Sequence, residues 1–402
     1  MVQETNHKAM DIKTITYQFE QLSERIIEFR RTLHRMAELS FEEHKTSQYI
    51  AETLRSEGIE CRPIVGTGVL AVVNGAVPDP QRPVVLRADI DALPIDEQSG
   101  VSYASRTRGV MHACGHDLHA ASLMGTLIGL KQLSAQFNGT IWGIFQPGEE
   151  VAPGGASKIL EAGVFDNCSP RAIIGQHVEA GMDSSHFGFR SGKYMASADE
   201  IHIRVSGEGG HAAMQHKCAD TVLASAQLIV ALRELSTPLG DIPTILSIGR
   251  VEALGATNVI PAEVTLSGTM RTLDEQWRAE LKKRIVEISE SVADQSNTKV
   301  EVRFAPGYPS VYNHPALTNM AVSVTEQMFG RDVIEHQELK MTAEDFGFYG
   351  SVAPSLLYRF GAGRGSGMAH RADFSPEDSQ LFRASAMMAA LAIEISCKVF
   401  EE

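Results

Sequence analysis

The sequence predicts an α/β protein: a central β-sheet flanked by helices, with an α+β domain of ferredoxin-like pattern inserted into it. Three observations support this fold class. Short apolar segments alternate with a helical pattern over residues 1–190, residues 191–306 carry the order β-α-β-β-α-β, and another apolar strand follows in residues 307–402. The chain has 402 residues, which is long for a single hydrophobic core and agrees with two domains.

Helical periodicity dominates the first stretch, Ile15–Leu39. Apolar residues recur there three or four positions apart, at Phe19, Leu22, Ile26, Phe29, Leu33 and Met36. The segment Ser40–Glu43 has the composition of a helix start, and Gly58 is suited to end the helix that follows. We interpret this part of the chain as two helices that pack on the rest of the protein.

Short apolar runs bounded by turn residues predict the strands of the central sheet. They are Val84–Leu86, Thr140–Phe145, Ala172–Ile174 and Leu356–Phe360. A helical pattern, Leu118–Leu133, lies between the first two runs, and we expect Asp117 to be its N-cap. Strands that alternate with helices in this way are typical of an α/β sheet layer.

Residues 191–306 have a different pattern. Ile201, Ile203 and Val205 alternate with polar residues, which indicates a half-exposed strand. The predicted elements after it are a helix over 219–235, strands over 244–251 and 263–271, a helix over 274–293 and a strand over 299–304. This order is complete in itself, so we predict an inserted domain at 191–306 and an outer domain made of 1–190 and 307–402.

Composition and charge exclude several classes of function. The formal net charge is -14, whereas a general nucleic-acid role would need clustered positive charge. No run of about 18 apolar residues is present, so we expect no membrane partner. The five cysteines are too sparse for a disulfide framework, and Met1–Lys13 lacks the apolar core of a secretory signal. We therefore expect a cytoplasmic protein.

Polar side chains follow three of the predicted strands. Asp89 and Asp91 come after the first, Glu149 and Glu150 follow the second, and His177 follows the third. In open α/β sheets, ligands bind beyond the carboxyl ends of the strands. Polar residues delivered there by three separate strands predict a binding site at this edge of the sheet.

The densest polar cluster is His112–His119, which holds three histidines and one cysteine. Imidazole and thiolate are the usual ligands of zinc and similar metals. Each of these residues alone could be a packing residue or a satisfied polar contact, but the group as a whole favours a metal site. The adjacent carboxylates Glu149 and Glu150 would repel each other unless a cation lies near. We therefore expect one of them to bind metal and the other to act as a base.

Four further residues are weaker candidates. His211 stands in a glycine-rich turn, His370 ends a glycine-rich loop, and Asn258 and Arg271 belong to the predicted insert. By themselves these residues are ordinary turn, loop and surface side chains. The guanidinium group of an arginine is suited to bind a carboxylate, so Arg271 stays a candidate for substrate binding.

Together these residues resemble the motifs of the M20 metallopeptidase family. The branch they resemble contains bacterial and plant amidohydrolases that act on N-acyl amino acids, hippurate and auxin conjugates. The motifs that carry the resemblance are Arg30–His34, Glu38–Glu43, Leu86–Ile95, His112–His119, Gln146–Glu150, Gly209–Ala213, Asn258–Pro261, Gly268–Arg271 and Ala343–Phe346. They extend over nearly the whole chain in the family's order. We assign no catalytic role to His34 and Glu38.

The resemblance implies a role for each candidate. The metal ligands would be Cys114, His116, Glu150, His177 and His370, with Cys114 shared by two ions. Glu149 would be the general base and then the acid, His211 and Asn258 would stabilise the oxyanion from the same or the partner subunit, and Arg271 would bind the substrate carboxylate. We therefore expect a homodimer with an inserted lid that hydrolyses N-acyl amino acids with two divalent metal ions per chain. Cys114 favours zinc, while manganese, cobalt and nickel stay open.

The sequence departs from the family pattern at three places. Arg87 stands where the wider peptidase superfamily has a histidine, Gln215 where the family often has proline, and Val178–Gly181 where aromatic and proline residues often follow the ligand histidine. The last two departures leave the acyl preference open. Three alternatives also stay open: a metallo-dipeptidase or carboxypeptidase with the same site, a binding protein that lost catalysis, and a structural zinc protein.

Overall fold

The computed structural model describes residues 12–236 and 242–398. The interpretation that Met1–Lys13 lacks a signal core concerns residues that lie mostly outside this described part. The helices are α1 Ile12–Gln21, α2 Ser23–Arg35, α3 His44–Ser56, α4 His116–Gln132, α5 Gly154–Glu161, α6 Thr221–Glu234, α7 Glu275–Ser296, α8 Pro315–Phe329 and α9 Leu381–Ser396. Among these described residues, no helix combines the length and the apolar character that a membrane crossing needs.

The strands are β1 Glu60–Ile64, β2 Gly68–Asn74, β3 Val84–Asp89, β4 Thr140–Gln146, β5 Ala172–Glu179, β6 Phe187–Phe189, β7 Gly192–Met195, β8 Ala198–Ser206, β9 Gly210–His211, β10 Thr244–Ala253, β11 Val259–Ile260, β12 Glu263–Thr272, β13 Lys299–Tyr308, β14 Val311–Asn313, β15 Ile334–His336 and β16 Ser355–Gly361. The four strands predicted for the central sheet are β3, β4, β5 and β16. Each is longer than the apolar run that predicted it, because polar residues continue the strand at one end or both.

The chain divides into two compact units. The first consists of the described residues within Met1–Gly192, Tyr312–Glu338 and Phe348–Glu402. The second consists of the described residues within Lys193–Val311, together with the short segment Leu339–Gly347. Each unit has a hydrophobic core of its own, as expected for separate domains.

An eight-stranded sheet of described residues forms the centre of the first unit, in the order β1-β2-β4-β3-β5-β16-β6-β15. The inner strands β4, β3, β5 and β16 are parallel, whereas β1 and β2 are antiparallel at one side. Strand β3 is buried along its whole length, as expected for a parallel strand covered on both faces. The parallel direction brings the carboxyl ends of β3, β4, β5 and β16 to one edge. The predicted fold class is confirmed for this unit.

The N-terminal periodic stretch forms two helices where we predicted one, and the second ends at Arg35, before Leu39. Helix α1 ends at Gln21 and α2 begins at Ser23, with a turn at Leu22 between them. Leu22 is itself buried, so the spacing of apolar residues continues through the break. Periodicity alone therefore could not predict where one helix ends and the next begins.

Helix α4 is buried on nearly all sides and packs against α2, α9 and β3. Its N-cap is Gly115, with a φ of 88°, so the expectation that Asp117 caps the helix is wrong. The Asp117 carboxylate instead accepts a hydrogen bond from Arg30 Nε at 2.8 Å and lies 2.8 Å from His34 Nδ1. Because all three side chains are buried, the charge of Asp117 is compensated inside the protein.

A four-stranded antiparallel sheet, in the order β10-β12-β8-β13, forms the centre of the second unit. Helices α6 and α7 pack on this sheet, and Ile201, Ile203 and Val205 of β8 contribute to the shared core. The first and third strands of the β-α-β-β-α-β order, β8 and β12, occupy the middle of the sheet. The ferredoxin-like interpretation of this segment is therefore confirmed.

Candidate metal centre

Side chains from several segments of the first unit converge at the carboxyl edge of its sheet. His116 is the first residue of α4 and Cys114 lies two residues before it, Glu149 and Glu150 are in the turn after β4, and His177 is within β5. His370 comes from the loop after β16, where its own N–H donates to Ala113 O at 2.7 Å. The fold therefore brings Glu149 and the five ligand residues expected from the resemblance to one place.

The donor atoms form groups compact enough to hold a metal ion. In one group the donor atoms of Cys114, His116 and His177 lie within 4.8 Å of one another, and in another those of Cys114, Glu150 and His370 do so. Cys114 Sγ lies 3.5 Å from His177 Nε2, and Glu150 Oε1 lies 3.4 Å from His370 Nε2. The two groups share the Cys114 sulfur, so one thiolate could serve both.

Two buried atoms at this place make no hydrogen bond of good geometry with any described residue. They are His116 Nε2 and Glu150 Oε1, which lie 3.9 Å apart. Glu150 Oε1 lies 3.4 Å from His370 Nε2, and His116 Nε2 lies 3.7 Å from Asp89 Oδ2. Both contacts are longer than a good hydrogen bond, so a cation near the two atoms would satisfy them better. Imidazole, thiolate and carboxylate are also the donor set of zinc and related divalent ions. The residues present therefore fit a divalent metal.

Hydrogen bonds to the other ring nitrogen orient two of the histidines. Asp91 Oδ1 lies 3.1 Å from His116 Nδ1, and His177 Nδ1 donates to Val178 O at 2.7 Å. Each ring therefore presents its Nε2 to the site, as is usual for histidines that bind a metal. Asp91 also accepts the N–H of Glu150 at 3.0 Å, so one carboxylate positions two of the candidate ligands.

His119 and Asp89 lie beside the ligands but are engaged elsewhere. His119 Nδ1 bonds to Asp89 at 2.5 Å, and its Nε2 accepts the N–H of Val178 at 2.8 Å. Asp89 also accepts a hydrogen bond from the fully buried Arg87 at 2.7 Å. Asp89, His116 and His119 are close enough to form a third metal group. Since both nitrogens of His119 are occupied, we place it outside the ligand set.

The electrostatic environment separates the ionisable groups of the site. Burial raises the pKa of Cys114 to about 12. Burial also lowers the pKa of His177, and the charge of Arg359 acts in the same direction. Burial opposes ionisation of Asp89, but the positive charges around it, led by His116, hold its pKa well below the ordinary value. A cation that binds Cys114 therefore has to displace the proton of a neutral thiol.

Glu149 is 7% exposed and belongs to a group with His116 and Glu150 whose donor atoms lie within 4.8 Å of one another. Two adjacent carboxylates thus point to the same small volume. This arrangement allows one of them to bind a cation while the other exchanges a proton with a water molecule.

Three candidate residues lie in the second unit. His211 is on β9, and the N–H of Ala212 donates to Asn258 O at 2.9 Å, so His211 and Asn258 are close to each other. Both side chains are exposed. Arg271, near the end of β12, is half-buried and donates to Met341 O at 3.2 Å. These three residues and the candidate metal ligands therefore belong to different units.

Comparison with known proteins identifies the family. The family model described as Peptidase family M20/M25/M40 matches residues 85–394. The chain belongs to this peptidase family. An N-acetylcysteine deacetylase of Bacillus subtilis (strain 168) is 36% identical over 373 residues, which are 92% of this chain and 96% of the relative. Thermostable carboxypeptidase 2 of Saccharolobus solfataricus is 35% identical over 347 residues, which are 85% of this chain and 86% of the relative.

A solved structure agrees with this membership. The crystal structure of a dinuclear metal-binding peptidase of the M20 family from Bacillus subtilis superposes with a TM-score of 0.82 and 33% identity. The match covers 94% of this chain and 100% of that one. As an M20 protein, the chain is an amidohydrolase that uses divalent metal ions. The predicted resemblance and the predicted type of activity are confirmed.

The role of Asp91 in this M20 site was not predicted. From the sequence, Asp91 is only one of the polar residues that follow a predicted strand. Its signal was its place two residues beyond the end of β3, at the edge where the ligands meet. The sequence could not show that Asp91 Oδ1 contacts the ring of His116 while Asp91 Oδ2 accepts the backbone N–H of Glu150.

Proposed function

We propose that this M20 protein hydrolyses N-acyl amino acids to a carboxylate and a free amino acid, at a centre that holds two divalent metal ions. The observation that carries the proposal is the pair of ligand groups that share Cys114, next to the group that contains Glu149. Similarity to an N-acetylcysteine deacetylase and to a dinuclear metal-binding peptidase supports it. The Cys114 thiolate favours zinc, with manganese, cobalt and nickel as the alternatives.

In the proposed reaction Glu149 moves the proton. Cys114, His116, Glu150, His177 and His370 hold the ions, which supply Lewis acidity toward the amide carbonyl and lower the pKa of water. Glu149 takes a proton from the attacking water and then donates it to the nitrogen of the leaving amine. The amide C–N bond breaks, the hydroxyl of the water joins the acyl carbon, and the proton of the water joins the amine. Burial of Glu149 limits the exchange of that proton with bulk water.

We assign substrate recognition to residues of the second unit. Arg271 offers a guanidinium fork for the substrate carboxylate. His211 Nδ1 accepts the N–H of Ala213 at 3.1 Å, so its Nε2 carries the hydrogen and can donate to an oxyanion. Asn258 offers a side-chain amide donor beside it.

The test compares the two adjacent carboxylates. Glu149→Gln should keep its bound metal and lose turnover by about 10²–10⁴-fold, because the ligands stay in place and the base is gone. Glu150→Gln should lose metal as well as turnover, since it removes a charged ligand. Metal content and release of free amino acid are measured on chelator-stripped protein after zinc, manganese, cobalt or nickel is restored. Near-normal turnover of Glu149→Gln would remove Glu149 from the role of base.

A metallo-carboxypeptidase or dipeptidase is the second candidate function. Thermostable carboxypeptidase 2 is nearly as similar as the deacetylase, and Arg271 would suit a peptide's terminal carboxylate equally well. A panel of N-acetyl amino acids, hippurate and free dipeptides separates the two. Faster release from the N-acylated substrates supports the amidohydrolase, and faster release from dipeptides supports the peptidase. Full metal loading without release from any substrate would favour a binding protein.

We further propose a homodimer that forms through the second unit. Among the described residues, β10 pairs with β12 on one side only, so its other backbone edge is open to a further strand. Helix α6 exposes Leu223 and Val230, which are seven residues apart and so share one face. An edge strand beside an exposed apolar helix face is suited to pair with a second copy.

We also propose a cytoplasmic location. All five cysteines are free thiols, including the buried Cys114. A reducing compartment keeps such thiols available as metal ligands. Fractionation of the source cells, followed by detection of the protein, tests this placement.

A further inference from the structure

The segment Ser40–Glu43, which joins α2 to α3, contacts the turn that carries Glu149 and Glu150. Glu43 is fully buried at the end of this segment. Its Oε1 accepts the N–H of Gly148 at 2.9 Å, and its Oε2 accepts the hydroxyl of Thr67 at 2.5 Å. A buried carboxylate persists only when its oxygens are satisfied, so both bonds hold Glu43 in place. Glu43 thereby fixes the backbone immediately before Glu149.

Phe41 holds the same glycine from another direction. Its ring packs on Gly148 so closely that a Cβ at Gly148 would lie 2.3 Å from Phe41 Cζ. Phe41 itself has a φ of 65°, a left-handed conformation that a bulky residue rarely adopts. Such a conformation is retained only where the surroundings determine it, and Lys158 Nζ, 3.5 Å from the ring centroid, is part of those surroundings.

Ser40 connects the segment to the other side of the turn. Its hydroxyl donates to Asp91 Oδ2 at 2.7 Å, and the same oxygen accepts the N–H of Glu150 at 3.0 Å. The other oxygen of Asp91 lies 3.1 Å from His116 Nδ1. One hydroxyl of the segment is therefore bonded to the carboxylate that holds both Glu150 and His116.

We propose that Ser40–Glu43 is a positioning element that fixes the backbone on both sides of Glu149 and so sets the geometry of the base and of its neighbouring ligand. The proposal rests on the proposed role of Glu149. The segment does not touch the reacting atoms. Its effect arises because proton transfer and metal binding both depend on small displacements of the side chains involved.

Glu43 offers a pair of variants that separates its hydrogen bonds from its charge. Glu43→Ala removes both bonds and leaves the N–H of Gly148 without its acceptor. Glu43→Gln keeps the shape, because its amide oxygen can accept from Gly148 and its amide nitrogen can donate to Thr67 Oγ1. We expect Glu43→Ala to lower kcat by about tenfold or more with little change in KM, and Glu43→Gln to restore most of it.

Two further variants control for loss of stability. Leu54→Ala removes a fully buried side chain from α3 without touching the turn, so it should lower the thermal unfolding midpoint at least as far as Glu43→Ala and leave kcat unchanged. Ser40→Ala deletes one hydroxyl on a half-buried residue and should fold even if Glu43→Ala does not. It should weaken metal binding, since it loosens the carboxylate that holds Glu150 and His116.

The deciding readout is metal affinity together with kinetics. Stripped wild-type protein and each variant are titrated with zinc by calorimetry, and the restored enzymes are assayed on the substrate that the wild type turns over fastest. Weaker zinc binding by Glu43→Ala and Ser40→Ala, with normal binding by Leu54→Ala, is the expected result. Normal affinity and normal kcat in both segment variants, or an equal loss in Leu54→Ala, would overturn the proposal. A wild type that binds zinc but releases no product would count against the proposed function alone, because the affinities still test the segment.

Discussion

Asp91 is hydrogen-bonded to two residues of the candidate metal centre, His116 and Glu150. Alanine at this position would free the ring of His116 and the N–H of Glu150, which Asp91 holds. We expect Asp91→Ala to weaken zinc binding by about 10–100-fold, measured by titration of the stripped protein. Asp79→Ala, which removes a surface carboxylate paired with Arg171, is the control. Equal affinities of the two variants would contradict this role of Asp91.

Glu97 lies in the buried network around His34. Its carboxylate is 3.1 Å from His34 Nε2 and accepts the N–H of Ser105 at 2.7 Å. Burial opposes ionisation, but the hydrogen bond from His34 and its other bonds outweigh it and lower the pKa of Glu97 to about 2. A carboxyl whose pKa is lowered by folding stabilises the protein above its unfolded pKa. That stabilisation is lost as the pH falls toward the folded value.

We therefore expect Glu97→Gln to lower the free energy of unfolding by about 1–2 kcal/mol at neutral pH. The difference from the wild type should shrink as the pH falls below the ordinary Glu value of 4.5 toward 2. Urea unfolding of both proteins between neutral pH and about pH 3 measures this dependence. A difference that stays constant over that range would show that the charge of Glu97 adds nothing to stability.

The residue types of the site could be predicted from the sequence, but their hydrogen-bonding states could not. His112, His116 and His119 have equal standing in one short motif. In the fold, His116 belongs to the candidate ligand groups, whereas His119 is bonded to Asp89. His112 lies beside His34, with 6.1 Å between the two ring centroids. Which ring nitrogen of a histidine is left to bind a metal depends on hydrogen-bond partners from other strands and helices, and a local sequence pattern does not identify those partners.

At the scale of elements, the packing of α2 against α4 depends on a buried ion pair. Arg30 donates to Asp117 at 2.8 Å, and its side chain is 1% exposed. The neighbouring Arg31 bonds to Asp378 at 2.9 Å with a side chain that is 39% exposed. Arg30→Ala leaves the Asp117 charge buried with His34 as its remaining partner. We expect it to destabilise the protein by about 3 kcal/mol or more.

Arg31→Ala provides the matched control, because it removes the same kind of side chain one position along the same helix. Arg31 is partly exposed, and its removal leaves Asp378 with Arg30 Nη1 at 3.4 Å, so this variant should lose about 1 kcal/mol or less and unfold close to the wild type. The urea midpoints of the two variants measure the difference. Equal midpoints would mean that α2 and α4 are held by apolar packing, with no contribution from the pair.

Element types followed from periodicity, because helices and strands bury their apolar residues at different spacings. The β-α-β-β-α-β order could be predicted for this reason, and so could the inner strands of the large sheet. The turn at Leu22 and the cap of α4 could not, since both depend on packing partners. The segment Leu339–Gly347 also carries no periodic signal, yet it packs with the second unit.

At the scale of the whole molecule, the proposed homodimer depends on the exposed face of α6. Val230 is 68% exposed and Leu223 is 55% exposed on that face. Val230→Glu would bury a charge at the interface, so we expect the variant to be monomeric. Light scattering during size exclusion measures the mass. Val77→Glu is the matched control, because Val77 is 63% exposed in the first unit, and it should stay dimeric.

The same variants connect assembly to the site. The proposed ligands of the metal centre lie in the first unit, so monomeric Val230→Glu should bind zinc as tightly as the wild type. If His211 and Asn258 act from the partner subunit, its turnover should fall while its zinc affinity and unfolding midpoint stay normal. A Val230→Glu protein that remains dimeric would contradict the proposed interface, and a wild type that is monomeric would remove the homodimer. Full turnover by a monomeric variant would place His211 and Asn258 in the same chain as the base that they assist.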